Sequence, residues 1–278
     1  MRRWVHDNPW QLAAVLAVGA LLISAVAIGL AWRLSGGNWA IVETPSMGRA
    51  VPVGTLIVTK TRPLDDIHVG DVVTYQPPNL KREWFTHRVV QKFSDGTLQV
   101  QGDVNGSPDP FAVTQANLVG KVVHQVYGIG WLIHALPYLI VGLMVIFVVT
   151  GTYVRSRWRS AARIMSICLL LAIAALILRP FVHPYLMSVS TDTGTPYATV
   201  VSAGLMPTRV TGAPGEFIDL VNGQEGVVRV ASVAEGAPFM INGTPHLNLP
   251  WLFLVIGICA FPLLWCLIVG LSPDEDER

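Results

Sequence analysis

Charge is what this chain has least of. Only 13% of its 278 residues are Asp, Glu, Lys or Arg, against ~25% in an ordinary soluble domain, while 52% are hydrophobic. That balance argues against a water-soluble globule and for a membrane protein. The formal net charge of +1 leaves no basic surplus to attract nucleic acid. Cysteine is also scarce. Cys168, Cys259 and Cys266 all lie inside apolar runs, so the polar segments hold no disulfide and no Cys-rich metal motif. Nothing in the sequence implies a metal or an organic cofactor, and there is no internal repeat.

What is abundant is long apolar sequence. Residues 11–32, 131–154 and 249–271 carry no charge, and a hydrocarbon core of ~30 Å needs about 20 helical residues. Residues 164–187 make a fourth expected span, interrupted by Arg179, Pro180 and His183. The first run reads as a retained anchor rather than a cleaved leader. It exceeds the ~7–15 apolar residues of a signal peptide, and no small-x-small site follows it. Arg2 and Arg3 precede it, and Arg155, Arg157, Arg159 and Arg163 fill the connection between the second and third runs. Positive charge in short loops marks the cytoplasmic side. Both termini are therefore expected in the cytoplasm of a multi-pass cell-membrane protein, with residues 38–130 and 188–248 outside.

The first outside segment reads as β-structure. Short β-branched runs at 39–42, 55–59, 71–75, 86–90, 97–101 and 119–123 are punctuated by Gly54, Gly70, Pro77-Pro78 and Gly102-Asp103. Ser94-Asp95-Gly96 has the composition of a hairpin turn. The second outside segment is rich in Gly, Pro, Thr and Val, with strands expected at 217–221 and 226–231 around Asn222-Gly223. The expected fold is thus about four transmembrane helices, an extracytoplasmic mostly-β domain, and a second small β-rich segment.

Residues 38–128 also hold the parts of a hydrolytic site: Thr44-Pro45-Ser46-Met47, Thr86-His87-Arg88, Gly102-Asp103-Val104-Asn105 and Asp109. A serine hydroxyl becomes a useful nucleophile when a nearby base takes its proton and a third group orients that base. Histidine titrates near neutrality, and a carboxylate on its other ring nitrogen holds the tautomer. If His87 stands on a strand, Phe85 and Val89 share its face and exclude water from it. Each part alone is more often structural, Asp103 and Asp109 as turn residues and His87 as a core or surface histidine.

The order of the parts is more specific. Pro45-Ser46-Met47, Gly70-Asp71-Val72-Val73, His87-Arg88, Gly102-Asp103-Val104-Asn105 with Asp109, and Gly120-Lys121-Val122 follow an anchor in that sequence. The chain resembles the type I signal peptidases over residues 40–130, in particular their archaeal and endoplasmic-reticulum branch. The resemblance implies a signal-peptidase domain in which Ser46 is acylated and His87 is its general base, with Asp103 or Asp109 supporting the site. The Ser46 N–H and the Thr44 hydroxyl would hold the oxyanion. Preproteins with signal peptides would be the substrates, bound as an added strand next to membrane lipid. The family box reads small-Gly-Ser-Met-acidic-Pro. Here Pro45 precedes the serine and Gly48-Arg49 follow Met47, so the loop must take another path. The other bacterial branch uses a lysine base, but His87-Arg88 fills that place, leaving Lys60, Lys81, Lys92 and Lys121 as alternatives.

Three rival readings exist. The chain could be a non-catalytic scaffold or partner-binding protein on a peptidase fold. It could be a peptidase dedicated to one secreted partner, recognised by residues 188–248. A transporter would need charge at membrane depth, where only His134, Arg179 and His183 stand, near span ends.

Overall fold

The computed structural model describes residues 9–80, 82–178, 181–192, 195–230, 241–257 and 260. These fall into two compact units. One comprises residues up to Ala40, Ile57–Val100 and Pro110–His124. The other comprises Ile41–Leu56, Gln101–Asp109 and the chain from Gln125 onward.

The described part of the first unit begins with helix α1, Pro9–Leu34, which covers the first expected span. At its far end Trp32 donates to the Asn38 carbonyl at 3.4 Å, and the Lys60 ammonium stands 5.7 Å from its ring centroid. Strands β1 (Gly37–Ile41), β2 (Leu56–Lys60), β3 (Val72–Tyr75), β4 (Phe85–Lys92), β5 (Leu98–Gln101) and β6 (Leu118–Val126) follow. They form one sheet in the order β1-β2-β6-β3-β4-β5. All six strands expected from the β-branched runs are present. The β4–β5 connection is the expected turn: the Phe93 N–H donates to Thr97 O at 2.9 Å, and Asp95 accepts from the Thr97 N–H and hydroxyl. Ile67, Val73, Tyr75, Val89, Leu98, Val100 and Val113 are fully enclosed as its core. Their alternation along the strands is the period-two pattern that puts every second side chain inside.

In the second unit a helical hairpin, α2 (Ile129–Tyr153) and α3 (Ser156–Leu178), is joined by only Val154 and Arg155. Arginines expected in a connecting loop instead form the first turns of α3. The Arg159 Nε donates to the Val154 carbonyl at 3.1 Å, a cation at the end of α2 where the helix dipole favours it. Arg163 donates to the buried Thr150 hydroxyl at 3.1 Å and lies over the Phe147 ring. Large apolar side chains along α2 and α3, such as Val141, Met144, Leu169 and Leu176, remain exposed, as lipid-facing residues would.

Among the described residues two helices, rather than four, are long and apolar enough to cross a membrane: Ile129–Tyr153 and Trp158–Leu178. The second corrects the expected span 164–187. The helix starts eight residues earlier and ends at Leu178, and residues 184–187 belong to a strand. Proline lacks the N–H that continues a helix, and Pro180 already interrupts the apolar run in the sequence. Of the fourth expected span, residues 249–257 are helical, and most of the remainder lies outside the described residues.

The rest of this unit is a small β-domain with more strands than expected. β7 (Pro184–Asp192), β8 (Thr195–Ser202) and β11 (Glu225–Arg229) form one sheet in the order β11-β8-β7. β9 (Thr208–Thr211), β10 (Phe217–Leu220) and β12 (Asn242–Pro245) form another in the order β10-β9-β12. Ala198, Val200, Val210, Leu220, Val228 and Val230 pack as a shared core. On the β9–β10 ladder Arg209 opposes Asp219, grips its carboxylate at 2.6 and 2.7 Å, and lies over the Phe217 ring. The expected strands around Asn222-Gly223 exist, but they enter different sheets.

Gly54 shows how tightly this unit is assembled. It sits at φ +84°, its carbonyl accepts from the Gly130 N–H at 3.0 Å, and a Cβ there would stand 2.0 Å from the Trp131 indole nitrogen. Gly54→Ala should therefore cost about 2–4 kcal/mol through strain and overpacking. A fall in the melting midpoint in detergent would check this.

Candidate active site

Ser46 stands in the second unit, in the middle of a single 3-10 turn, Pro45–Met47. Proline suits the first position of such a turn, because its missing N–H would have no partner there. Pro45 and Met47 are buried and Ser46 is half-buried between them. The departure at position 45 is thus accommodated by the turn itself. The Gly48 N–H closes the turn on Pro45 O at 2.8 Å, and the Ala50 N–H continues it to Met47 O at 3.1 Å. Thr44 precedes the turn in extended conformation, exposed, and its side chain does not cap it.

The Gly-Asp loop meets this turn within the same unit. The Val104 N–H donates to the Ser46 carbonyl at 3.0 Å, the Asn105 N–H returns to Gly102 O at 2.9 Å, and the Gln101 side chain donates to Asn105 O at 2.6 Å. Asp103 is exposed and Asp109 half-buried on this loop. The backbone therefore brings the Ser-Met box and the Gly-Asp-Val-Asn loop together, residues that the sequence separates by more than fifty positions.

His87 belongs to the first unit. It lies on β4 directly opposite Val73 of β3, only 5% exposed. Its ring stands 5.9 Å from that of Phe85 and 6.4 Å from that of Tyr75, and Val89 on the same face is fully buried. This is the water-excluding wall expected from the strand alternation. The aromatics divide into two roles: Phe85 packs on the core, while Trp39 and Trp84 are exposed.

The candidate lysines in the described residues are engaged. Lys92 donates to the Leu64 carbonyl at 2.8 Å, Lys60 stands over Trp32, and Lys121 pairs with Asp71 at 2.7 Å. Lys81 lies outside the described residues. Burial pushes the Asp71 carboxyl up, but the hydrogen bonds from Lys121 and the His68 N–H, with the charges of Lys121 and His68, outweigh it and hold it below its ordinary value. A depressed folded pKa gives stability that is present above the unfolded value of about 3.9 and is lost as pH falls through the folded value. Lys121→Met should remove about 1 kcal/mol at neutral pH, allowing for solvent screening, and flatten the acid limb. Denaturation midpoints between pH 7 and pH 3 would measure this.

One feature escaped sequence reasoning. A cavity of about 400 Å³ in the second unit is lined by Glu43, Trp131, His134, Tyr138 and His183, among others. His134 Nε2 stands 3.5 Å from the Glu43 carboxylate. The histidines near span ends thus face one hollow near the junction of α2 and α3 with the β-domain. Among the described residues no group of three or more His, Cys, Asp or Glu side chains is placed to hold a metal ion.

No protein-family model matches the chain, and no curated protein matches it either.

Proposed function

We propose that the chain is a membrane-bound serine endopeptidase that removes signal peptides from exported preproteins beside the outer membrane surface. The observation that carries this reading is the Val104–Ser46 backbone hydrogen bond, which joins the Ser-Met box to the Gly-Asp-Val-Asn loop in one unit. The burial of His87 among apolar neighbours adds support. In this reading His87 takes the proton from the Ser46 hydroxyl as its oxygen attacks the scissile carbonyl. The Ser46 N–H and the Thr44 hydroxyl stabilise the oxyanion, and His87 returns the proton to the leaving amine. Water then releases the acyl group by the same steps in reverse roles. Asp103 or Asp109 supports the histidine.

The membrane arrangement belongs to the same proposal. With Arg155, Arg157, Arg159 and Arg163 on the cytoplasmic side, both β-regions face outward and both termini inward. Ser46 follows Trp32 by 14 residues, which tethers it within about 50 Å of the bilayer at ~3.3–3.6 Å per residue. That is where a preprotein's cleavage site emerges.

The test is processing of a preprotein by the purified full chain in liposomes, beside Ser46→Ala. Cleavage after a small-x-small site by the wild type alone supports the reading. Intact precursor in both, with both proteins folded, overturns general processing and favours a scaffold or a peptidase dedicated to one partner.

A further inference from the structure

Among the described residues, the segment Asn222–Gln224, the link between β10 and β11, brings the small β-domain against the Ser46 turn. Gly223 sits at φ +73°, and a Cβ on it would stand 2.5 Å from the Gly48 carbonyl oxygen and 2.8 Å from the Arg49 Cα. Gly48 sits at φ +51°, and a Cβ there would meet a Val104 methyl at 2.8 Å and the Gly223 carbonyl at 3.2 Å. Two glycine backbones are therefore closely apposed, with a Val104 methyl beside them. Beside them the Arg49 guanidinium donates to the Gln224 side-chain oxygen at 3.0 Å. That oxygen also accepts from the Val221 N–H at 3.2 Å, which fixes the glutamine to its own turn. The turn is anchored in turn: the Gly223 N–H donates to Ser202 O of β8, and the Asn222 amide donates to the Tyr127 hydroxyl.

We propose that the Asn222–Gln224 turn is a positioning element for the Ser46 turn, and that Gly223, Gln224 and Arg49 are positioning residues for catalysis. The Ser46 turn is held by Val104, by Gly223 and, through Arg49, by Gln224. A bulkier residue at 48 would collide with both neighbours, and proline at 49 would lose the guanidinium. The Gly48-Arg49 departure from the signal-peptidase box and the additional β-domain are thus two halves of one arrangement. This rests on the reading of Ser46 as nucleophile, since a misplacement of about 1 Å at a reacting group can cost about 10²-fold in rate.

Gly223→Ala forces the Gly48 carbonyl to move, and should lower kcat by about 10²-fold with KM changed less than about twofold. Gln224→Ala should lower kcat by about three- to tenfold, as it removes the exposed hydrogen bond from the Arg49 guanidinium and the one from the Val221 N–H. The exchanged pair Arg49→Gln with Gln224→Arg restores the side-chain contact but not the bond from the Val221 N–H, which arginine cannot accept, so it should recover part of that loss, which a general weakening of the domain would not permit. A second readout does not require activity. Amide hydrogen exchange at Gly48 and Ala50, whose N–H groups close the Ser46 turn, should accelerate in Gly223→Ala and Gln224→Ala. It should stay unchanged in Glu216→Gln, which disturbs only the exposed Arg229–Glu216 pair of the same domain. Unchanged exchange at Gly48 and Ala50 in both turn variants would overturn the proposal whatever the activity. If exchange accelerates while the wild type shows no Ser46-dependent cleavage, the proteolytic reading fails and the positioning contact stands. If Ser46-dependent cleavage is present and kcat is unchanged in both turn variants, the catalytic role falls alone.

Discussion

Ser46→Ala is expected to abolish preprotein cleavage, with a loss in kcat of about 10⁴–10⁶-fold and the fold retained. The size follows from chemistry: without Oγ no acyl-enzyme forms, and what remains is binding and oxyanion stabilisation, about 10³–10⁴ over water in comparable sites. Retention of the fold follows from the structure. The turn is anchored by buried Pro45 and Met47 and by backbone hydrogen bonds to Pro45 O, Met47 O and Ser46 O, none of which uses the hydroxyl. A substitution that removes one oxygen from a half-buried residue should leave all of these in place. Retention of more than about a tenth of wild-type kcat would remove Ser46 from the role of nucleophile.

His87→Ala should lose about 10⁴-fold or more, and Ser46→Ala with His87→Ala together should lose no more than the worse single variant. Residues that act as one chemical unit are grossly non-additive, whereas independent contributions multiply. The double variant therefore measures whether the serine of one compact unit and the histidine of the other serve the same step. Alanine in place of a buried side chain also leaves a cavity, so His87→Ala should be accompanied by some loss of stability. His87→Gln keeps much of the volume and should lose activity to a similar extent with a smaller fall in midpoint. If the losses of the single variants multiply, His87 is a core residue of the sheet and the base lies elsewhere.

The six strands of the first unit were legible because each is a β-branched run bounded by glycine, proline or a charged turn, as in Asp95-Gly96 between β4 and β5. Burial of His87 was legible for the same reason, since alternation with Phe85 and Val89 fixes its face. Strands β7 and β8 were hidden. Their sequence is rich in Ser, Thr and Pro, which reads as loop until a neighbouring sheet supplies an apolar face at Ala198 and Val200. Arg179 and Pro180 interrupt the apolar run just after the last described residue of α3, yet hydropathy alone carried the expected span on to residue 187. Asp103 and Asp109 remain alternatives, because spacing along a loop does not tell which carboxylate would support a base. The Arg49–Gln224 contact had no local signal at all. Its partners are 175 residues apart, and neither residue type is unusual where it stands.

That separation gives the chain a schedule. Synthesis at about 5–20 residues per second places about 10–35 s between the appearance of Arg49 and that of Gln224. During that interval the serine turn lacks its contact with Gln224, and α2 and α3 are both synthesised before that contact can be made. On the proposed peptidase reading, a growing chain of this design would reach full competence only after α2 and α3 have been made. Order of emergence would then serve the purpose that a removable inhibitory segment serves in some hydrolases.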